Sequence, residues 1–354
     1  MKSLKSRNPV KHLLNTISYF SFFGYPPTFD EIHTFFPVKI AKKGLKTLLE
    51  RLILEKKVIQ LSFRAPIHRD EKSREVLPTS RFLSRSNKTK KLIQNDKLDR
   101  QNSLFSTFYL PSFSSFRYTL PQYPYKFDLP LQRKKTTLKK LTSIKCLIKV
   151  FRQWPFFRFV GVTGSAAMAN CRTGDDVDLF IITARKTLFI GRFLAIVLSY
   201  IYYVRRGKNR VCLNLFFDES NVVVPLQKQT QYVAHEVLQM KPVVNKGQTY
   251  ERFLEANKWI YDYFPNASVI PPPDRRRGQV QEGIIRFLLQ PLEIFLKHLQ
   301  LLIIRKNNTG LIITNTQLWL FRKDFEKKIK SYTSTPKTSR EKTLSPGSSF
   351  LLEA

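Results

Sequence analysis

From Val10 to Glu55 the apolar positions recur at helical spacing, and the breaks between them fall on turn residues. Leu13 to Phe23 predicts one helix, closed by Gly24-Tyr25-Pro26-Pro27, and Thr28-Phe29-Asp30-Glu31 has the form of a capping box that opens a second. After Pro37 a third helix runs to about Glu55, with Leu45, Leu48, Leu49 and Leu52 on one apolar face, and Val58 to Phe63 reads as a strand. The period is then lost. Residues 64–135 are rich in Ser, Lys, Arg and Pro with isolated aromatics, the composition of a long irregular insertion or linker.

Order returns with a helix from Thr136 to Gln153. Three short apolar runs follow, Phe159 to Val162, Leu179 to Ile182 and Val211 to Phe217, the last two separated by the helical run Leu188 to Val204. Tyr232 to Met240 and Tyr250 to Phe264 predict a helical pair, Glu282 to Arg305 a helix kinked or broken at Pro291, and Gln317 to Tyr332 a last helix. The expected fold class is α/β (α+β): a small mixed sheet of three strands flanked by helices at 136–265. Before it stand a small helical domain at 1–63 and the insertion at 64–135. After it come C-terminal helices at 266–332 and a Ser/Thr/Pro/Lys-rich tail at 333–354, expected to be disordered.

Charge narrows the choice of partner. Lys and Arg number 61 against 26 Asp and Glu, a formal net charge of +35 over 354 residues. Such a field makes nucleic acid (DNA or RNA) the default partner and an anionic membrane surface the second, with a diffuse lysine-rich composition as the alternative to both. Lys39, Lys42, Lys43 and Lys46 recur along one face of the third helix, where they suit phosphate contacts. Basic residues interleaved with Phe and Tyr in 64–135 could bind single strands, although a plain connector is the simpler reading.

The cysteines Cys146, Cys171 and Cys212 are widely spaced and the histidines scattered, which speaks against a zinc site and for a reducing compartment. The basic N-terminus has no clean apolar core behind it, so the expectation is a cytoplasmic chain without a secretory leader. Phe193 to Val204 is apolar apart from Ser199 but too short to span a bilayer. A buried helix behind the sheet is expected there, without integral membrane insertion; a peripheral membrane role is the weaker alternative.

The candidate chemistry lies in Arg158 to Thr183. Gly164-Ser165 breaks the first apolar run, and Asp175-Asp176-Val177-Asp178 leads into the second. Alternation along a strand puts Asp176 and Asp178 on one face, roughly 7 Å apart, with Val177 and Leu179 turned into a core. Paired carboxylates either stay solvated or hold a cation, and Mg²⁺ suits a few carboxylates plus water and substrate phosphates. A glycine at a strand end allows close approach of the backbone to a phosphate, and the Ser165 hydroxyl can add a donor.

An apolar residue, Gly-Ser, a spacer and Asp-apolar-Asp together resemble the signature of the DNA polymerase β-like nucleotidyltransferase superfamily, and the match covers roughly a sixth of the chain. The resemblance implies a metal-dependent nucleotidyltransferase taking an NTP: Asp176 and Asp178 as catalytic metal ligands for a two-Mg²⁺ site, Gly164 and Ser165 holding the triphosphate. The loop cations Arg172, Arg205, Arg206, Lys208 and Arg210 are further candidates for the phosphates.

Two positions depart from the pattern. Ala169 stands where the family has a second glycine, and Asn214, at the centre of Val211 to Phe217, takes the place of a third carboxylate; Asp218 is a more distant substitute. An amide brings no negative charge and cannot act as a base. The three N-terminal helices and their strand resemble a winged-helix domain, and the whole order resembles uncharacterised bacterial nucleotidyltransferase-domain proteins. The alternative function is therefore a catalytically weakened protein of the same fold that binds nucleic acid through the winged helix and basic surface.

Overall fold

The computed structural model describes residues 8–62, 116–123, 129–206, 211–269, 283–306, 312–320 and 328–329. Most of the 64–135 stretch, Lys208 and Arg210, and the tail at 333–354 lie outside the described residues.

The N-terminal helices form for the reasons legible in their sequence. Helix α1 (Pro9–Phe22) is capped by the Asn8 side chain, which accepts from the Lys11 amide at 3.1 Å. Helix α2 (Phe29–Thr34) opens on a full capping box between Thr28 and Glu31. Helix α3 (Lys42–Leu54) turns Leu45, Leu49 and Leu52 inward, where they meet Leu13, Ile17, Ile32 and Phe36. Strand β1 (Ile59–Leu61) pairs antiparallel with β2 (Arg117–Thr119), a strand from inside the stretch expected to be irregular.

Helix α4 (Leu129–Ser143) also begins inside that stretch, and α5 (Lys145–Gln153) follows after a break at Ile144. The central sheet is mixed and six-stranded, in the order β6-β3-β4-β5-β8-β7. Its strands are β3 (Phe157–Val162), β4 (Val177–Thr183), β5 (Val211–Asp218), β6 (Lys241–Asn245), β7 (Ile312–Ile313) and β8 (Gln317–Trp319). Only β4 and β5 run parallel; the other neighbours are antiparallel. A parallel pair needs a crossover, and α7 (Leu188–Arg206) supplies it.

Three strands more than expected complete the sheet. β6 lies between the two predicted helices, now α8 (Gln231–Gln239) and α9 (Thr249–Ala256), the latter followed by a single turn, α10 (Ile260–Tyr263). β6 is an edge strand, which is how it accommodates Pro242. Over Gln317–Trp319 the start of the helix expected from Gln317 to Tyr332 is instead strand β8, because Leu318 and Trp319 fill the two faces of the sheet beside β5; most of the remainder lies outside the described residues. The C-terminal helix α11 (Gly283–Lys306) runs unbroken through Pro291.

Helices cover both faces. On one, α4, α5, α7 and α11 pack on Val160, Val162, Leu179, Ile181 and Phe216. On the other, α1, α8, α9 and α10 pack on Phe159, Phe180, Ile182 and Phe217. The N-terminal helices are joined to this second face around His235 of α8. Its ring is stacked between Tyr19 and Phe35, at 3.9 and 4.1 Å between centroids, with Phe20 and Phe264 at its edges. Asn266 reinforces the junction by accepting from the Ile40 amide and donating to the Phe36 and Val38 carbonyls. At the far end of the sheet, the buried Glu219 carboxylate pairs with Arg158 and Arg252.

The His235 ring is fully enclosed, its Nδ1 has no hydrogen-bond partner among the described residues, and burial holds its pKa well below the usual value. A His kept neutral in the folded state binds fewer protons than in the unfolded chain, so stability falls as pH drops below about 6.5. His235→Phe keeps the stack and removes the unpaired nitrogen. We expect it to stabilise the protein by about 1 kcal/mol near neutrality and by more at about pH 5, measured by urea unfolding at both pH values.

Candidate functional site

The site is built at the end of β3. After Val162 the chain turns through Thr163, whose amide donates to the Asp178 carbonyl at 3.0 Å, into the one-turn helix α6 (Gly164–Ala167). Gly164 has φ +60°, and a Cβ there would lie 2.6 Å from Asp178 Oδ2. Only glycine both adopts this conformation readily and leaves room for the carboxylate. Ser165 Oγ sits 3.5 Å from Cys171 Sγ, and Ala169 is itself left-handed at φ +52°. Ala169 thus stands at a position where the backbone favours glycine.

The loop that follows is held from α4. Lys140 Nζ donates to the Thr173 and Asp175 carbonyls at 2.8 and 2.6 Å, Thr137 Oγ1 accepts from the Cys171 amide at 3.0 Å, and Arg133 donates to Asn170 Oδ1 at 2.8 Å. Asp175 Oδ2 accepts from the Arg172 amide at 2.9 Å, so this carboxylate closes the turn. Asp176 stands immediately before β4, and its charge reaches Asp178.

Asp178 is paired across the parallel ladder with Cys212, and the thiol hydrogen-bonds the carboxylate. A register shift follows, so that Phe180 pairs with Leu215. Alternation from Cys212 puts Asn214 on the Asp178 side, where its Nδ2 donates to Cys212 Sγ at 2.6 Å, and the extra residue brings Leu215 to the same side beside Phe180. Asn214 is therefore brought to the site, two residues beyond the partner of Asp178, with its amide engaged by the thiol. Asp218 is not brought there. It pairs with Thr183 at the other end of β4, accepts from the Thr187 amide at 3.3 Å and from Ser220, and belongs to the start of α7.

Two groups at the site were not picked out from the sequence. One is Cys212. The other is Glu236 of α8, whose Oε2 accepts from the Gly164 amide at 3.3 Å. Burial, reinforced by the charge of Asp178, pushes the Glu236 carboxyl up to about 7. Burial and the charges of Asp176 and Asp175 raise Asp178 to about 6, against the opposing hydrogen bond from Cys212. Burial, then Asp178, pushes the Cys212 thiol up to about 12, so it stays protonated and donating. The only sequence signal for Glu236 was an acid between buried Ala234 and Val237, which reads equally well as the solvated side of an amphipathic helix.

The arrangement gathers carboxylates around a glycine turn, and burial holds the pKa values of Asp178 and Glu236 above the usual carboxylate range. The oxygens of Asp176 and Asp178 suit a hard cation whose shell is completed by water and phosphate. Among the described residues no group of three or more His, Cys, Asp and Glu stands ready to hold a metal ion by itself. A phosphate reaching the Gly164 amide must displace Glu236 from it.

Gly164→Ala should cost about 2 kcal/mol or more, from left-handed strain and the displaced Asp178 carboxylate, whereas Ala169→Gly should gain about 0.5–1 kcal/mol; urea unfolding measures both. Asp178 and Glu236 have folded pKa values above their unfolded ones, so the folded chain keeps protons that the unfolded chain has lost. Their stabilising effect is complete below about pH 4 and is lost as pH rises to about 7. Glu236→Gln should raise Tm at about pH 8 and leave it nearly unchanged at about pH 5. No protein-family model matches this chain, and no curated protein or solved structure matches it either.

Proposed function

We propose that the chain binds a magnesium nucleoside triphosphate at the Gly164 turn and transfers its nucleoside monophosphate to an acceptor hydroxyl. The observation that carries this reading is the carboxylate of Asp178 filling the space of the missing Gly164 side chain, with Asp176 two residues before it. Asp176 and Asp178 would hold Mg²⁺, which when bound supplies charge neutralisation to the phosphates and the leaving pyrophosphate. Gly164 N–H and Ser165 Oγ are the donors offered to the triphosphate. The acceptor oxygen forms a bond to the α-phosphorus as the bond to the bridging oxygen breaks, and pyrophosphate leaves with that electron pair. The acceptor's proton requires a base, and Glu236, titrating at about 7, is the carboxylate near the turn suited to take it. The acceptor hydroxyl belongs to a nucleic acid, a protein side chain or a small molecule.

A second reading rests on Asn214, whose amide is engaged by Cys212 where the family carries a carboxylate. In that reading the turn is catalytically weakened, and the protein binds nucleic acid through a winged-helix-like N-terminal domain and its basic surface. The lysines singled out on α3 support it only in part. Lys42 pairs with Asp30, Lys46 lies 3.9 Å from Glu50, and Lys39, before the helix, donates to the Pro265 carbonyl.

Calorimetric titration of the four NTPs with and without Mg²⁺ tests the first reading. We expect Mg²⁺-dependent binding of at least one NTP that is lost in Asp176→Asn/Asp178→Asn. Mg²⁺-dependent affinity should rise through about pH 6, as Asp178 ionises, and transfer should rise further through about pH 7, as the displaced Glu236 carboxyl becomes a free base. Nucleotide transfer retained by the double variant would sink this reading. Absence of NTP binding, together with increased Mg²⁺ affinity in Asn214→Asp, would move it to the second, with DNA or RNA as the next titrant.

A further inference from the structure

Helix α11 is apolar on the side that faces away from the protein. Leu288, Leu292, Phe295, Leu299 and Leu302 recur every three or four residues, form one stripe along the helix, and remain 42–72 % exposed. The opposite side of the helix is fully used. Leu296, Gln300 and Ile304 are buried, and Glu293 accepts from the Phe189 and Ile190 amides at 2.9 and 2.8 Å, at the first turn of α7. Beside the stripe, α7 leaves Phe193, Ile196 and Tyr200 exposed. A helix that is apolar all round is ordinarily covered on both sides, and a continuous exposed stripe of this kind marks an interaction surface.

Charge identifies what covers it. Helix α7 contains no acid, and the one acid of α11, Glu293, is turned inward and hydrogen-bonded. The sequence ends α7 in Arg205-Arg206 and α11 in Arg305-Lys306, and the whole chain carries +35. A second copy would bring two strongly positive bodies together, whereas an anionic lipid surface attracts this one. We propose that the shared outer face of α7 and α11 lies on an anionic lipid surface, with both helices in its plane and the apolar stripe at the boundary between headgroups and acyl chains. Among the described residues no helix is long and apolar enough to cross a membrane, which fits this in-plane mode. The face lies across the sheet from α8 and Glu236, so lipid contact leaves the Gly164 turn uncovered. This inference is independent of the proposed chemistry.

The test is flotation of the full chain with vesicles of phosphatidylglycerol and phosphatidylcholine, against vesicles of phosphatidylcholine alone. The wild type should float with the anionic vesicles. Leu288→Ser/Phe295→Ser/Leu302→Ser, which removes only exposed side chains, should keep its Tm and partition about tenfold less or weaker still. Equal partition of both proteins would mean attraction by charge alone and would overturn the proposal, as would a dimer in sedimentation that the triple variant dissolves without any change in flotation. A second variant, Phe295→Trp, reads insertion directly. Its fluorescence should be quenched by lipids brominated on the acyl chains, and unchanged fluorescence overturns the proposal.

Discussion

The approach of the Asp178 carboxylate to the α-carbon of Gly164 is the constraint from which the rest of the site follows. It forces the left-handed glycine, fixes where β3 must turn relative to β4, and places an anion inside the fold with little water around it. Two hydrogen-bonding groups answer that anion and its surroundings. The Cys212 thiol donates to it from the neighbouring parallel strand, and the Gly164 amide beside it is occupied by Glu236. Neither carboxylate is neutralised by an adjacent cation in these interactions, so both retain protons to unusually high pH. A folded protein that tolerates such a cluster gives up some stability for it, the usual mark of a site kept for chemistry or binding.

Much of this was legible in the chain, and the limits have physical causes. The capping box at Thr28, the apolar faces of α1 and α3, and the strand-turn-strand around Gly164 and Asp178 are local patterns, set by residues close in sequence. What could not be read was anything that depends on which segments meet. Glu236 reaches the turn only because α8 crosses from β5 to β6, and Cys212 meets Asp178 only because β5 pairs beside β4 in that register. β6 and β8 are too short for their own periodicity to declare them, and both exist by pairing with strands already in place.

Charge and hydrophobicity divide the molecule in complementary ways. One face of the sheet carries the acidic turn and the N-terminal helices; the other carries α7 and α11, which leave apolar side chains exposed. The acid-lined turn stays local, because a net charge of +35 sets the field within about a screening length of the surface, before salt screens it. Anions near the surface would therefore be attracted by the chain as a whole and meet like charge only at the turn.

The aromatic stack around His235 has a consequence for how this chain can vary over time. Tyr19 and Phe35 from the N-terminal helices, and Phe264 from beyond the sheet, converge on one ring of α8. The segment before residue 63 is therefore not a detachable module that could be exchanged for another by recombination. A change on either side of the stack demands a matching change on the other. Descendants of this sequence should show the two parts drifting together, inherited as one hydrophobic unit even where the stretch between them diverges freely.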